Sequence, residues 1–339
     1  MRAPRYARSL PLILVSAIWL WACLPAASQS LRLYVDNSRG DSISVVDLST
    51  FKLIEDIKVG VHPHGLAVAQ SGNTLFATVE SDHTLKVVDL RTNKVTGVVK
   101  LQGRPNQCAV TPDEKYVIVP IRDRDAVDIV NLSTLKIEKE LPIKEPHNGV
   151  SIASNRFIYV SSMGGNEIDL IDLEKLEYSQ HIHVGGRPRP FAVSSDQKTM
   201  YVALANLHGF VKIDIRHDAV IHKIEIPIKN TAPAKPHPFE TPDTRTHGLA
   251  LTPNGKELWF TSLPDTSVYI YDLEKQNIVG SVPTGDGPNW IVFSPDGKLA
   301  AVSNTDSNDV SIIDVLKRVE VSRTKVGAAP KRLAVGIVR

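Results

Sequence analysis

The run Val45-Val46-Asp47-Leu48 returns six more times along the chain. The copies are Val87-Val88-Asp89-Leu90, Ile129-Val130-Asn131-Leu132, Leu170-Ile171-Asp172-Leu173, Lys212-Ile213-Asp214-Ile215, Ile270-Tyr271-Asp272-Leu273 and Ile312-Ile313-Asp314-Val315. Successive copies lie 42, 42, 41, 42, 58 and 42 residues apart. A repeat of this length decides the fold before composition does, because one such unit cannot bury its apolar surface except against its neighbours. One spacing exceeds the period by 16 residues, which marks a single insertion between regular units.

Each unit has the same internal order. An apolar run such as Ala109-Val110 or Leu249-Ala250-Leu251 leads to a polar turn, as in Thr111-Pro112-Asp113-Glu114, Thr252-Pro253-Asn254-Gly255 and Ser294-Pro295-Asp296-Gly297. Proline presets one turn dihedral, and Gly or Asn tolerates the next. A β-branched and aromatic run follows, such as Tyr116-Val117-Ile118-Val119 or Phe157-Ile158-Tyr159-Val160. Then come a variable loop, the repeated Asp-containing strand, a second turn and a fourth strand such as Leu53-Ile54-Glu55-Asp56-Ile57. Four short strands in about 42 residues, without a 3.6-residue period, predict an all-β chain: a seven-bladed β-propeller of four-stranded blades. Leu31-Arg32-Leu33-Tyr34-Val35 reads as a second strand, and Arg332-Leu333-Ala334-Val335-Gly336-Ile337 as a first strand. The N- and C-terminal strands are therefore expected to share one blade and close the ring as a single domain over residues 29–339, leaving no free sheet edge at the junction.

Tyr34-Val35-Asp36-Asn37, Tyr159-Val160-Ser161-Ser162 and Tyr201-Val202-Ala203-Leu204, with Val59-Gly60, Val184-Gly185 and Val326-Gly327, resemble the repeat of the YVTN family of seven-bladed propellers. The resemblance implies the fold over the whole mature chain. For function it implies only a range: surface-layer proteins, ligand binders, quinoprotein-associated and other periplasmic redox subunits, lactonase-like enzymes and some DNA binders. No repeat residue is a catalytic signature, so no catalytic role is carried over.

A propeller sorts its loops onto two faces. One receives the short uniform turns, where Asp47, Asp89, Asp172 and Asp272 are expected to cap the following turn through their side chains. The other carries the irregular loops and the residue that opens each innermost strand at the channel mouth, and function concentrates on such loops. Through the seven repeats that mouth residue is His64, Asn106, His147, Arg189, His247, Asn289 and Lys331, all polar and none acidic. Three readings stay open. The side chains line a hydrated channel; or Asn106, Arg189, Asn289 and Lys331, with the histidines, form a donor-rich cup for a small anionic ligand or a protein partner. In the third, His64, His147 and His247 converge on a transition metal, with His237 as a fourth ligand. Arg189 and Lys331 weigh against a bound cation, and no His-Glu-x-x-His motif supports one.

The insertion, about residues 230–245, is proline-rich (Pro233, Pro236, Pro238, Pro242) and enters just before His247, on the irregular face. A loop of this kind suits a lid, a partner contact or a tolerated excursion. His62, His83 and His208 are placed near the same side, whereas His181 and His183 share one face of an outer strand and are expected to face solvent. Glu80, Asp123, Asp306, Glu240 and Asp243 are the acidic candidates there, with no pair placeable at catalytic distance. The chain lacks a Gly-x-Ser-x-Gly elbow, a phosphate loop and a dinucleotide fingerprint.

Export is read from Arg2, Arg5 and Arg8, the apolar stretch Leu10 to Leu24 and the run Ala26-Ala27-Ser28, the order of a secretory signal peptide over residues 1–28. The apolar stretch is shorter than the roughly 20 residues that span a bilayer, so no transmembrane helix is expected. A periplasmic or secreted location follows, with a lipoprotein anchored at Cys23 as the rival, from the partial lipobox Leu20-Trp21-Ala22-Cys23. Cys108 is the other cysteine, so the mature chain has no intrachain disulfide; in its apolar segment it reads as a buried hydrophobe. The formal charge is +2, and losing the three arginines brings it to −1. With 6% aromatic residues, that charge disfavours nucleic acid as a partner and makes single-stranded DNA binding a remote alternative. The expectation is thus an exported propeller binding a small ligand, metal ion or partner protein at its channel mouth. The alternative is a metal-assisted or lactonase-like enzyme that uses the mouth histidines.

Overall fold

A computed structural model describes residues 1, 30–152, 154–230 and 244–338, with the backbone alone for residues 147–152. Among these residues 28 strands form seven four-stranded sheets. Six blades are consecutive in sequence. The closing blade combines Ser30–Asn37, Ser42–Asp47 and Lys52–Lys58 with the last strand, Pro330–Val338, which is innermost. The expected closure is therefore present, with Ser30 opposite Val338, Leu33 opposite Val335 and Asn37 opposite Pro330 in an antiparallel ladder. No helix among the described residues is long and apolar enough to cross a membrane.

Alternation of side chains along a strand decides how the blades pack. In the closing blade Tyr34 faces Leu66, Leu75 and Val88 of the next blade, while Leu33 and Val35 face Ala301, Val310 and Ile312 of the preceding one. The same division repeats around the ring, giving seven apolar clusters, one at each blade interface. Middle strands are consequently buried on both faces, as in Tyr116–Ile121, and read as continuous apolar runs. Outermost strands such as Lys52–Lys58 bury one side chain, Ile57. Cys108 lies within a cluster, where burial pushes its thiol pKa up.

The uniform turns behave as their composition suggests. Asp47 Oδ1 accepts the N–H groups of Ser49 and Thr50 at 2.8 and 2.9 Å, and Asp89, Asp172 and Asp272 bond the turn that follows each in the same way. The last turn residue is left-handed in every blade: Phe51, Asn93, Leu135, Leu176, Asp218, Gln276 and Arg318 have φ between 49° and 59°. Each is followed by a register shift against the third strand, as between Val45 and Val46, so one bulged hairpin is built seven times without glycine.

Leu333 is 3% exposed and packs between the terminal strands and the preceding blade. Leu333→Ala is expected to lower unfolding stability by about 2–5 kcal/mol. Leu53→Ala, on an outermost strand, should change it by less than about 0.5 kcal/mol. Urea titration of both variants measures the difference, and equal effects would contradict the closing role of the last strand.

Candidate functional site at the channel mouth

Each innermost strand neighbours the next around the whole ring, so their opening residues encircle one end of the central channel. Proline immediately precedes the mouth residue in six blades, at Pro63, Pro105, Pro146, Pro188, Pro288 and Pro330, with Thr246 in the remaining one. A strand that starts on proline gives up no ladder donor that a neighbour needs. Just after it the ladder breaks: Pro288 pairs with Asn304 and Ile291 with Val302, so Asn289 and Trp290 together oppose Ser303. The same two-against-one bulge sets His247 and Gly248 against Thr261, Arg189 and Pro190 against Ala203, and Lys331 and Arg332 against Asp36.

The residue opposite the bulge satisfies the backbone that the bulge frees. Thr261 Oγ1 accepts the Gly248 N–H at 2.8 Å, and Ser303 Oγ accepts that of Trp290 at 3.0 Å. Two hydroxyls also donate to the mouth carbonyl of the following blade: Thr78 to Asn106 at 2.5 Å and Ser303 to Lys331 at 2.6 Å. One side chain thus holds its own bulge and staples two blades. In the closing blade the position is a carboxylate, and Asp36 Oδ1 accepts the N–H groups of both Lys331 and Arg332 at 2.9 and 2.8 Å. Burial of Asp36 pushes its pKa up to about 7, against the pull of the nearby Arg332 guanidinium and these two N–H groups.

The structure brings His64, Asn106, Arg189, His247, Asn289 and Lys331 to the mouth, all but Lys331 buried. His147 opens the innermost strand Pro146–Ile152 at the equivalent backbone position, and His237 lies outside the described residues. His247 Nδ1 lies 3.2 Å from the Asn289 carbonyl, and its ring meets Trp290 edge-on at 5.9 Å. His64 Nδ1 lies 3.8 Å from Glu80 Oε1. Neither histidine belongs to a group of three ligand atoms within metal reach among the described residues.

Arg332 is the residue that the repeat alignment passes over. It is 1% exposed, donates from Nη1 to Asn289 Oδ1 at 3.2 Å, and stacks its guanidinium 4.2 Å above the Trp290 ring. It follows the predicted mouth position by one, and the bulge sets both residues against Asp36. The proline that recurs before six of the seven mouth residues is the signal that could have announced the bulge.

Charge on the surrounding loops is organised too. Glu80, 7% exposed, takes Arg104 Nη2 at 2.9 Å and Arg122 Nη1 at 3.1 Å, one on each oxygen. It is a carboxylate held between two guanidiniums. Asp123 Oδ1 accepts the Arg104 N–H, while Glu240 and Asp243 lie outside the described residues. His208 is a satisfied core histidine, between Ser262 Oγ at 2.7 Å and the Ile226 carbonyl at 2.9 Å, and its burial lowers its affinity for a proton. Before the insertion the N–H groups of Lys229 and Asn230 both reach Asp265 Oδ1 at 2.8 Å, and after it the Arg245 carbonyl accepts the Leu263 N–H at 3.0 Å, two residues before His247.

The family model for YNCE-like beta-propellers matches residues 66–233, and that for the seven-bladed beta-propeller lactonases matches residues 208–326. The chain is a seven-bladed propeller, and both matches fit a YVTN-like one. A curated relative of this propeller, hydrazine synthase subunit beta of Kuenenia stuttgartiensis, is 26% identical over 173 residues, which is 51% of this chain and 34% of the relative. The match thus spans about a third of that relative's length. Among solved structures, Kuenenia stuttgartiensis hydrazine synthase superposes with a TM-score of 0.69 at 21% identity, over 84% of this chain and 92% of that one. A candidate 6-phosphogluconolactonase of Bacteroides fragilis gives 0.73 at 16% identity, over 92% and 99%. At these identities the structural likeness shows the shared fold.

Asp36 supplies a pH test. Below its ordinary pKa of 3.8 the carboxyl is protonated whether the chain is folded or not. From there to about 7 the folded chain keeps a proton that the unfolded chain releases, so this group's contribution to stability falls as pH rises. Asp36→Asn keeps an acceptor for the two N–H groups and removes the titration. The melting temperature of the unaltered protein should fall relative to the variant between about pH 4 and pH 7 and run parallel to it above that range, and curves parallel throughout would contradict the assignment.

Proposed function

We propose that this propeller is exported and uses its mouth as a cationic cup for a small anionic ligand, or for the acidic group of a partner protein docked on that face. The observation that carries the reading is the pair of buried guanidiniums, Arg189 and Arg332, set with Lys331 among the amide and imidazole groups of Asn106, Asn289, His64 and His247. An anion that enters beside these groups gains charge-assisted hydrogen bonds in a setting that is partly shielded from water. Asn289 and Trp290 hold the Arg332 fork in place before any ligand arrives, which limits the ordering that binding must supply. Export rests on the arginine-rich, apolar and small-residue order of the first 28 residues.

The second reading is a lactonase-like hydrolase acting on an anionic lactone, and it is favoured by the lactonase family match over residues 208–326, which contain His247 and Asn289. In that reading the same cationic groups hold the substrate, and His247 is the group placed to move a proton.

Titration of the full chain with citrate and with inorganic phosphate by calorimetry, at low and at high salt, tests the cup. Binding is expected to weaken with salt and to fall about tenfold or more in Arg189→Gln and in Lys331→Gln, since each removes a charge-assisted contact. Binding unaffected by both substitutions contradicts the cup. Hydrolysis of 6-phosphogluconolactone that is lost in His247→Gln would favour the second reading.

A further inference from the structure

Counting the closing blade as the first, blade 4 carries a second group of ligating side chains, on its two outer strands and not on the innermost strand that opens at the mouth. Glu167 and Asp169 are two apart on its third strand, Glu167–Asp172, and His181 and His183 are two apart on its outermost strand, Glu177–His183. A period of two puts each pair on one face, and the antiparallel register sets Glu167 opposite His183 and Asp169 opposite His181. His181 Nδ1 lies 2.7 Å from Asp169 Oδ1 and 4.0 Å from Glu167 Oε1, and His183 Nε2 lies 3.9 Å from Glu167 Oε2. The ligand atoms of Glu167, Asp169 and His181 all fall within 4.8 Å of one another.

Two further observations separate this group from an ordinary charged surface. Asp218 of the next blade holds His183 from behind: its Oδ1 accepts the His183 backbone N–H at 2.6 Å, and its Oδ2 lies 2.9 Å from Nδ1. A proton on Nδ1 directed at this carboxylate leaves the Nε2 lone pair facing Glu167, the orientation that outer carboxylates impose on metal-bound imidazoles. Second, Asp169 is 2% exposed, and the ion pairs of Glu167 and Asp169 among the described residues are to the two imidazoles, with no lysine or arginine. At the matching place in blade 7 a lysine answers the acid, Lys325 Nζ to Asp309 Oδ2 at 3.0 Å. With neutral imidazoles the blade 4 group has two negative charges and no fixed positive charge against them.

We propose that Glu167, Asp169, His181 and His183 form a site for one divalent transition ion of the zinc class, with Asp218 as the positioning residue behind His183. Two imidazole nitrogens with two carboxylate oxygens suit Zn²⁺, whereas Ca²⁺ and Mg²⁺ take oxygen ligands and soft ions take thiolates. The ion ties the third and fourth strands of blade 4 together and, through His183 and Asp218, ties that edge to blade 5. Sequence reading found the two histidines and their exposed face, and the structure agrees, with side chains 53% and 69% exposed. The carboxylates opposite them belong to another strand and become visible only once the register is known.

The test is calorimetric titration of the chelator-stripped full chain, free of any polyhistidine tag, with Zn²⁺ and separately with Ca²⁺. One Zn²⁺ per chain is expected, with affinity lowered about tenfold or more in His181→Ala, Asp169→Asn and Asp218→Asn. His64→Gln/His247→Gln should leave it unchanged, and a far-ultraviolet dichroism spectrum checks that each variant is folded. Zinc affinity unaltered in folded His181→Ala, loss confined to the mouth variant, no zinc uptake at all, or calcium bound as tightly as zinc would each overturn the proposal.

Discussion

The ladder between the two ends of the chain is the interaction on which the rest of the structure depends. Residues 30–37 and 330–338 are some 300 positions apart in sequence, yet they pair as first and second strands of one blade. That pairing turns a linear series of sheets into a ring, and only in a ring do seven innermost strands surround a channel. The entropy of closing so long a loop is met by the two clusters on either side of the closing blade, which contain Tyr34, Leu66 and Val88 on one face and Leu33, Leu333 and Ile312 on the other. Asp36 joins the same junction to the mouth, because it receives the N–H groups of Lys331 and Arg332 from the far end of the chain.

Closure also explains why the mouth is polar and how it is ordered. Six of the seven innermost strands have a bulge in their ladder, and a bulge exposes backbone groups that need partners. Threonine and serine hydroxyls supply them in several blades and reach across to the next, so the ring is hydrogen-bonded blade to blade at the level where a ligand would enter. The side chains at this level, among the described residues, are Asn, His, Lys and Arg. Their sum is a donor-rich opening, which is the basis for reading the propeller as an anion-binding module.

The architecture was legible because a 42-residue period with four strand signals admits few other solutions, and because the two ends complement each other as halves of one unit. Six of the seven mouth residues have described side chains, and the repeat alignment located them from their place after the turn. Arg332 escaped it because one residue per blade was assumed where the bulge admits two. The pairing of Asp169 with His181 escaped it for a different reason: local sequence shows which residues share a strand face, but not which residue of a neighbouring strand stands opposite. Glu80 stands in the sequence only as one acidic candidate of the irregular face, and the folded loops bring Arg104 and Arg122 to its two oxygens.

Hydrogen exchange under native conditions, followed residue by residue, tests the closing ladder most directly. If the ring is held by this pairing, the amides of Leu33, Tyr34, Leu333 and Val335 exchange only as slowly as global unfolding permits, like those in the middle strands of other blades. Rapid exchange along 330–338, with the other six blades still protected, would mean that the ring stands without its terminal strand and would contradict the account.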